Sequence, residues 1–78
     1  MSKFLKKDEI KFLKSFGHAI SIKRRDLKIT QEQMAKMVRL SKTQIHRIET
    51  GQHPTSIITL RRISQVIGIN LSDLFEEI

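Results

Sequence analysis

Cysteine is absent from the chain. That excludes disulfide frameworks, thiolate metal sites and cysteine nucleophiles. A small secreted domain usually needs such staples, so a reducing cytoplasm is the expected setting. Tryptophan and tyrosine are also missing, and only 4 phenylalanines remain. Few flat rings are therefore available to stack unpaired bases, which disfavours single-stranded nucleic acid as a partner. Proline occurs once and glycine 3 times, so linkers and low-complexity stretches are not expected. No apolar run approaches the ~20 residues of a membrane span. Residues 1–13 carry 4 lysines and no apolar stretch of signal-peptide length. No membrane partner is expected.

What remains is basic and helical. Seventy-eight residues make one domain with a modest core. Fifteen Lys and Arg face 8 Asp and Glu. Residues 1–62 hold all 15 bases and 5 of the acids, whereas residues 63–78 hold 3 acids and no base. A basic body of this kind suits an anionic polymer or surface. The acidic end suits another contact, such as a second subunit. Charge alone does not choose among DNA, RNA and anionic lipid.

Strand-like alternation never runs beyond a few residues, while apolar spacings of three and four recur throughout. Ile10, Leu13, Phe16 and Ile20 predict a first helix ending near Asp26, with Asp8 and Glu9 suited to its N-terminus. Gly17 inside it costs about 1 kcal/mol relative to alanine, so a break or a close approach is expected there. Thr30 and Gln33 fit the capping box of a second helix whose inward face is Met34, Ala35 and Val38. Arg39-Leu40 interrupts the pattern. Ser41 predicts the next N-cap, with Ile45 and Ile48 inward and Gly51 as the stop. Thr55 or Ser56 starts a fourth helix with Ile57, Leu60, Ile63 and Ile67 on its apolar face, ended by Gly68. Asn70 is the expected cap of a short fifth helix from Leu71 to about Glu77, with Asp73 at the capping-box position. The predicted fold is an all-α, compact five-helix bundle.

The second and third helices form a pair joined by a short turn, an arrangement that can lay the second of them along a major groove. Around Ile45 and Ile48 stand Lys42, Thr43, Gln44, His46 and Arg47. This outward set is rich in donors and short of carboxylates, as base edges and phosphates require. The alternative is an ordinary amphipathic helix with a solvated face; the capped partner helix and the net charge favour the nucleic-acid reading.

Residues 16–75 resemble the helix-turn-helix domain of Cro, the lambda-type repressors and the XRE regulators. The likeness is strongest over ITQEQMAKMVRLSKTQIHRIETG, Ile29 to Gly51. It implies a lambda repressor-like DNA-binding domain over 16–78, with 1–15 as an N-terminal helical extension. It also implies residue roles. Lys42, Thr43, Gln44, His46 and Arg47 become candidates for base contacts. Thr30, Gln31, Thr50, Gln52 and His53 become candidates for phosphate contacts, Gln31 at a helix N-terminus that favours an anion. Arg24 and Glu49 match a buried ion pair tying the first helix to the end of the third. Arg61 and Arg62 fit a solvated helix face better than the alternative, further contacts to the nucleic acid. This chain departs from the family at Lys28 and Arg39, where glycine is frequent.

Leu71, Leu74, Phe75 and Ile78 form a terminal apolar cluster. Part of it completes the core; Phe75 and Ile78, if left outside, are candidates for a twofold dimer contact. The implied function is that of a sequence-specific regulator of transcription binding double-stranded DNA. It is expected to be a repressor that occupies a palindromic operator as a homodimer. The alternative is an antitoxin or adaptor with secondary DNA binding, docking a toxin or polymerase through Phe4 to Leu13. No enzyme activity, cofactor or metal is expected: His18, His46 and His53 lie on separate elements, without the pairing of a zinc site.

Overall fold

The computed structural model describes residues 5–76, which form five helices and no strand. They are α1 (Lys7–Asp26), α2 (Gln31–Val38), α3 (Lys42–Glu49), α4 (Ile57–Ile67) and α5 (Leu71–Glu76). The all-α class and the order of elements agree with the sequence pattern.

Local chemistry accounts for the helix starts. Thr30 Oγ1 accepts from Gln33 N at 3.0 Å, and Gln33 Oε1 accepts from Thr30 N at 2.8 Å. Ser41 and Gln44 repeat the same exchange at 3.1 and 2.8 Å. Each exchange satisfies two backbone donors that a helix start leaves free. Of the two candidate caps for α4, Ser56 fills the role, its Oγ accepting from Thr59 N at 3.2 Å. α1 starts differently: Glu9 Oε1 accepts from Lys6 N at 2.9 Å.

The helix ends explain the two departures from glycine. Lys28 and Arg39 both adopt the left-handed conformation, with φ of 58° and 60°. This geometry lets Ile29 N reach Arg24 O at 3.2 Å and Leu40 N reach Ala35 O at 2.9 Å. Both are the long closing bonds that satisfy the last carbonyls of a helix. For residues with a Cβ the conformation costs about 1–2 kcal/mol.

The core is a single cluster. Phe16, Ala19 and Ile20 of α1 meet Met34, Ala35 and Val38 of α2, Ile45 and Ile48 of α3, and Leu60, Ile63 and Ile67 of α4. α3 packs on α1 and α2, α4 on α2, and α5 on α1 and α4. Ile57 departs from the expected apolar face of α4. It is 64% exposed, and Ile58 beside it is exposed as well. Spacing placed Ile57 on the stripe of Leu60, Ile63 and Ile67. The first turn of α4 nevertheless lies beyond the part of the helix that the bundle covers.

Gly17 resolves in favour of close approach. α1 runs through it without interruption. A Cβ there would lie 2.2 Å from Ile48 O and 2.7 Å from Glu49 O. The helix-weakening glycine lets α1 touch the backbone at the end of α3.

Candidate nucleic-acid interface

The end of α3 is held by polar contacts as well as apolar ones. Arg24 Nε donates to Glu49 Oε2 at 2.7 Å and Arg24 Nη2 donates to Glu49 Oε1 at 3.0 Å. Arg24 Nη1 donates to Ile29 O at 2.7 Å. Both residues are buried. The two-pronged geometry matches guanidinium to carboxylate and fixes orientation as well as distance. One grip thus joins α1, the residue before the Thr30 cap of α2 and the last turn of α3.

Gln31 enters the same network. Its Nε2 donates to Glu49 Oε1 at 3.0 Å, and its side chain is half-buried. The amide of this phosphate candidate therefore points partly inward. The start of α2 is tied to the end of α3 by one further bond. This contact is not legible in the sequence, because nothing local distinguishes a glutamine that turns inward from one that faces solvent.

From this anchor α3 presents its other side. Ile45 and Ile48 are buried, whereas Lys42, Thr43, Gln44, His46 and Arg47 are exposed. No acidic residue lies in the first turn of α3, and its last turn contains His46 and Arg47. The only carboxylate on α3, Glu49, is consumed by Arg24 and Gln31. The exposed face therefore offers cationic and neutral donors without competing acid. Gln44 is partly committed, since its Oε1 caps the helix. Its amide N–H groups remain as donors.

The loop after α3 turns on Gly51, whose φ is 72°. Gly51 N bonds Ile48 O at 3.1 Å and Gln52 N bonds Arg47 O at 2.9 Å. A Cβ on Gly51 would lie 2.6 Å from Lys14 Cα and Lys14 N. The turn thus needs glycine for its dihedral and for its contact with α1. Exposed Thr50 and Gln52 bond one another, Gln52 Nε2 donating to Thr50 Oγ1 at 2.9 Å. Thr50 Oγ1 also donates to His46 O at 2.8 Å.

His53 joins Gln44 and Arg47 along an open cleft of about 280 Å³, whose other walls include Pro54, Ser56 and Thr59. The start of α4 therefore stands beside the outward face of α3, a neighbour that the sequence reading did not assign. Lys42, Thr43, Thr30 and Gln31 do not line this cleft. Thr30 Oγ1 is occupied by its capping bond.

The terminal apolar cluster divides. Leu71 is half-buried against the core. Phe75 is 43% exposed; it stacks on Phe12 at 5.9 Å between ring centroids and packs tilted against Phe16 at 5.0 Å. Phe12 is 44% exposed. The side chain of Leu74, and the whole of Ile78, lie outside the described residues. Among the described residues, no group of three or more His, Asp or Glu side chains is placed to hold a metal ion. No helix among them is long and apolar enough to cross a membrane.

Comparison with known proteins agrees with this architecture. A family model described as helix-turn-helix matches residues 20–74. The control protein C.MunI from Mycoplasma sp is 33% identical over 64 residues, covering 81% of this chain and 86% of that protein. Two solved structures share the fold. The clp gene regulator ClgR from Corynebacterium glutamicum superposes with a TM-score of 0.81 at 23% identity, covering 85% of this chain and 70% of that one. The restriction-modification controller protein C.AhdI from Aeromonas hydrophila gives 0.76 at 22% identity, covering 80% of this chain and 94% of that one. By its family match, its relative and the helix pair built around Arg39-Leu40, the chain belongs to the XRE-type helix-turn-helix family of DNA-binding transcription regulators.

Proposed function

We propose that the protein is a sequence-specific, non-enzymatic regulator of transcription in the cytoplasm, and that it represses by occupying a palindromic operator as a homodimer. The observation that carries the reading is the exposed, carboxylate-free face of α3, held by the Arg24–Glu49 grip. On this reading α3 enters the major groove. Lys42 and Arg47 pair with guanine O6 and N7, and Thr43 packs against a thymine methyl. Gln44 and His46 complete the base-facing set. Thr30, Gln31, Thr50, Gln52 and His53 flank it and hold phosphates on either side.

The half-exposed Phe75, stacked on half-exposed Phe12, supports self-association. The longest dimension of the chain is 32 Å. Two copies side by side can therefore set their α3 helices about 34 Å apart, one turn of duplex. The descriptions of two relatives as a control protein and a restriction-modification controller support a regulatory role.

Selection of duplexes from a random pool tests this reading. The expected result is a single consensus with twofold symmetry, bound with a steep salt dependence of about −0.9 in log–log slope per phosphate neutralised. Flat sequence preference would contradict it. Flat preference together with tight capture of a protein through residues 1–10 would favour the adaptor alternative.

A further inference from the structure

α1 carries Lys7, Lys11, Lys14 and His18 at steps of four, three and four residues. On a helix with about 3.6 residues per turn, those steps keep the four side chains within about 60° of one another. All four are exposed. None of the four side chains makes an ion pair or a hydrogen bond to another described residue; the Ser21 hydroxyl reaches only the backbone carbonyl of His18. Lys7 and Lys11 are like charges one turn apart, which weakens a helix unless an anion lies over them. The acids nearest in sequence serve another flank. Asp8 and Glu9 line a recess with Leu5, Phe12, Leu13 and Pro54, and Glu9 also caps α1.

The position of the stripe is fixed by backbone contact. Lys14 is the residue against which Gly51 closes, and Gly17 abuts Ile48 and Glu49. Neither approach leaves room for a Cβ, so α1 cannot slide relative to the turn after α3. Lys14 therefore stands beside the Thr50–His53 loop, and Lys11 and Lys7 lead away from it along α1. From Lys7 to Lys14 the helix rises about 10 Å at ~1.5 Å per residue. That is comparable to about three base-pair steps at ~3.4 Å each along one strand.

We propose that Lys7, Lys11, Lys14 and His18 form a second phosphate-binding track, which extends the DNA contact from the Gly51 loop beyond the base pairs read by α3. The track rests on the function proposed above and adds to it. It contributes affinity and salt dependence but no base preference. It also gives the residues before the family match at 20–74 a role in DNA binding.

The test uses the full chain and its selected duplex, with affinity measured across a series of salt concentrations. One variant combines Lys11→Ala with Lys14→Ala. The control combines Arg61→Ala with Arg62→Ala, removing equal charge from an exposed face of α4. The lysine pair is expected to lower affinity about tenfold or more at ~0.1 M salt and to flatten the log–log slope by about 1.8. Sequence preference should be retained, and the loss should vanish when the duplex is trimmed to the selected consensus. Circular dichroism should show both variants folded. An unchanged slope in the lysine variant overturns the proposal, as does an equal loss in the arginine control. Vesicles of phosphatidylserine provide the remaining arm. Lysine-dependent binding to them, with the DNA slope unaltered, would assign the stripe to a lipid surface instead. If the wild-type protein selects no sequence, the function proposed above fails. The slope comparison on random duplex then still decides the track.

Discussion

α2 and α3 each have eight residues, and each opens with the same reciprocal exchange, Thr30 with Gln33 and Ser41 with Gln44. Their burial then diverges. α2 buries Met34, Ala35 and Val38 and packs on both α3 and α4. α3 buries Ile45, Ile48 and the charged Glu49, packs on α1 and α2, and leaves Lys42, Thr43, His46 and Arg47 exposed. The start of a helix is thus set by local chemistry that is blind to use. Its use is set by which flank the neighbours cover and by whether its one acid is neutralised from behind. α2 is seated by apolar packing with a single neutral bond at its start, from Gln31 to Glu49, whereas α3 is seated by packing together with a buried ion pair.

The ion pair offers the most forceful way to break this contrast. Arg24→Ala leaves Glu49 buried with only the Gln31 amide, and should destabilise the fold by about 3–5 kcal/mol. Urea titration followed by circular dichroism measures that loss. A cost under about 1 kcal/mol, the range of an exposed pair, would show that α3 does not depend on the grip. Arg47→Ala comes next. It should leave stability nearly unchanged and cost about 1–3 kcal/mol of binding at one or two base pairs. Competition among singly altered duplexes reads this out, and a uniform loss across all of them would remove Arg47 from the base-facing set. Smaller still are the caps. Ser41→Ala and Thr30→Ala should each cost about 1 kcal/mol of stability. Markedly unequal costs would mean that the two starts are less alike than their bonds suggest. Smallest is Arg39→Gly, which relieves a left-handed residue with a Cβ but frees the unfolded chain. The net expected effect is a stabilisation of up to about 1 kcal/mol, visible as a raised thermal midpoint.

Much of this was legible in the sequence where a signal was local. The Thr30 and Ser41 caps and the stop at Gly51 are each written within about one turn of chain. The special turn at Arg39 was visible only through the resemblance, as a place where the family frequently has glycine. The inward faces of α2 and α3 follow from spacing. What was not legible depends on distant partners. Ile57 sits on the apolar spacing of α4, yet periodicity gives the direction of a stripe and not where the bundle stops covering it. Gly17 was ambiguous, because a break and a close approach leave the same sequence signature; only the carbonyls of Ile48 and Glu49 decide between them. Gln31 looked like a free helix-start amide until Glu49, 18 residues away, was placed beside it. The exposed set on α3 was visible as a pattern. The cleft that joins Gln44, Arg47 and His53 to the start of α4 was not.

On this reading the outward flank of α3 meets DNA. Isotope-labelled protein titrated with its selected duplex tests this residue by residue. The largest amide shifts should fall on Lys42, Thr43, His46 and Arg47, with smaller ones at Thr30, Gln31 and Thr50–His53. Shifts confined to Phe12, Phe75 and their neighbours, with α3 silent, would contradict it.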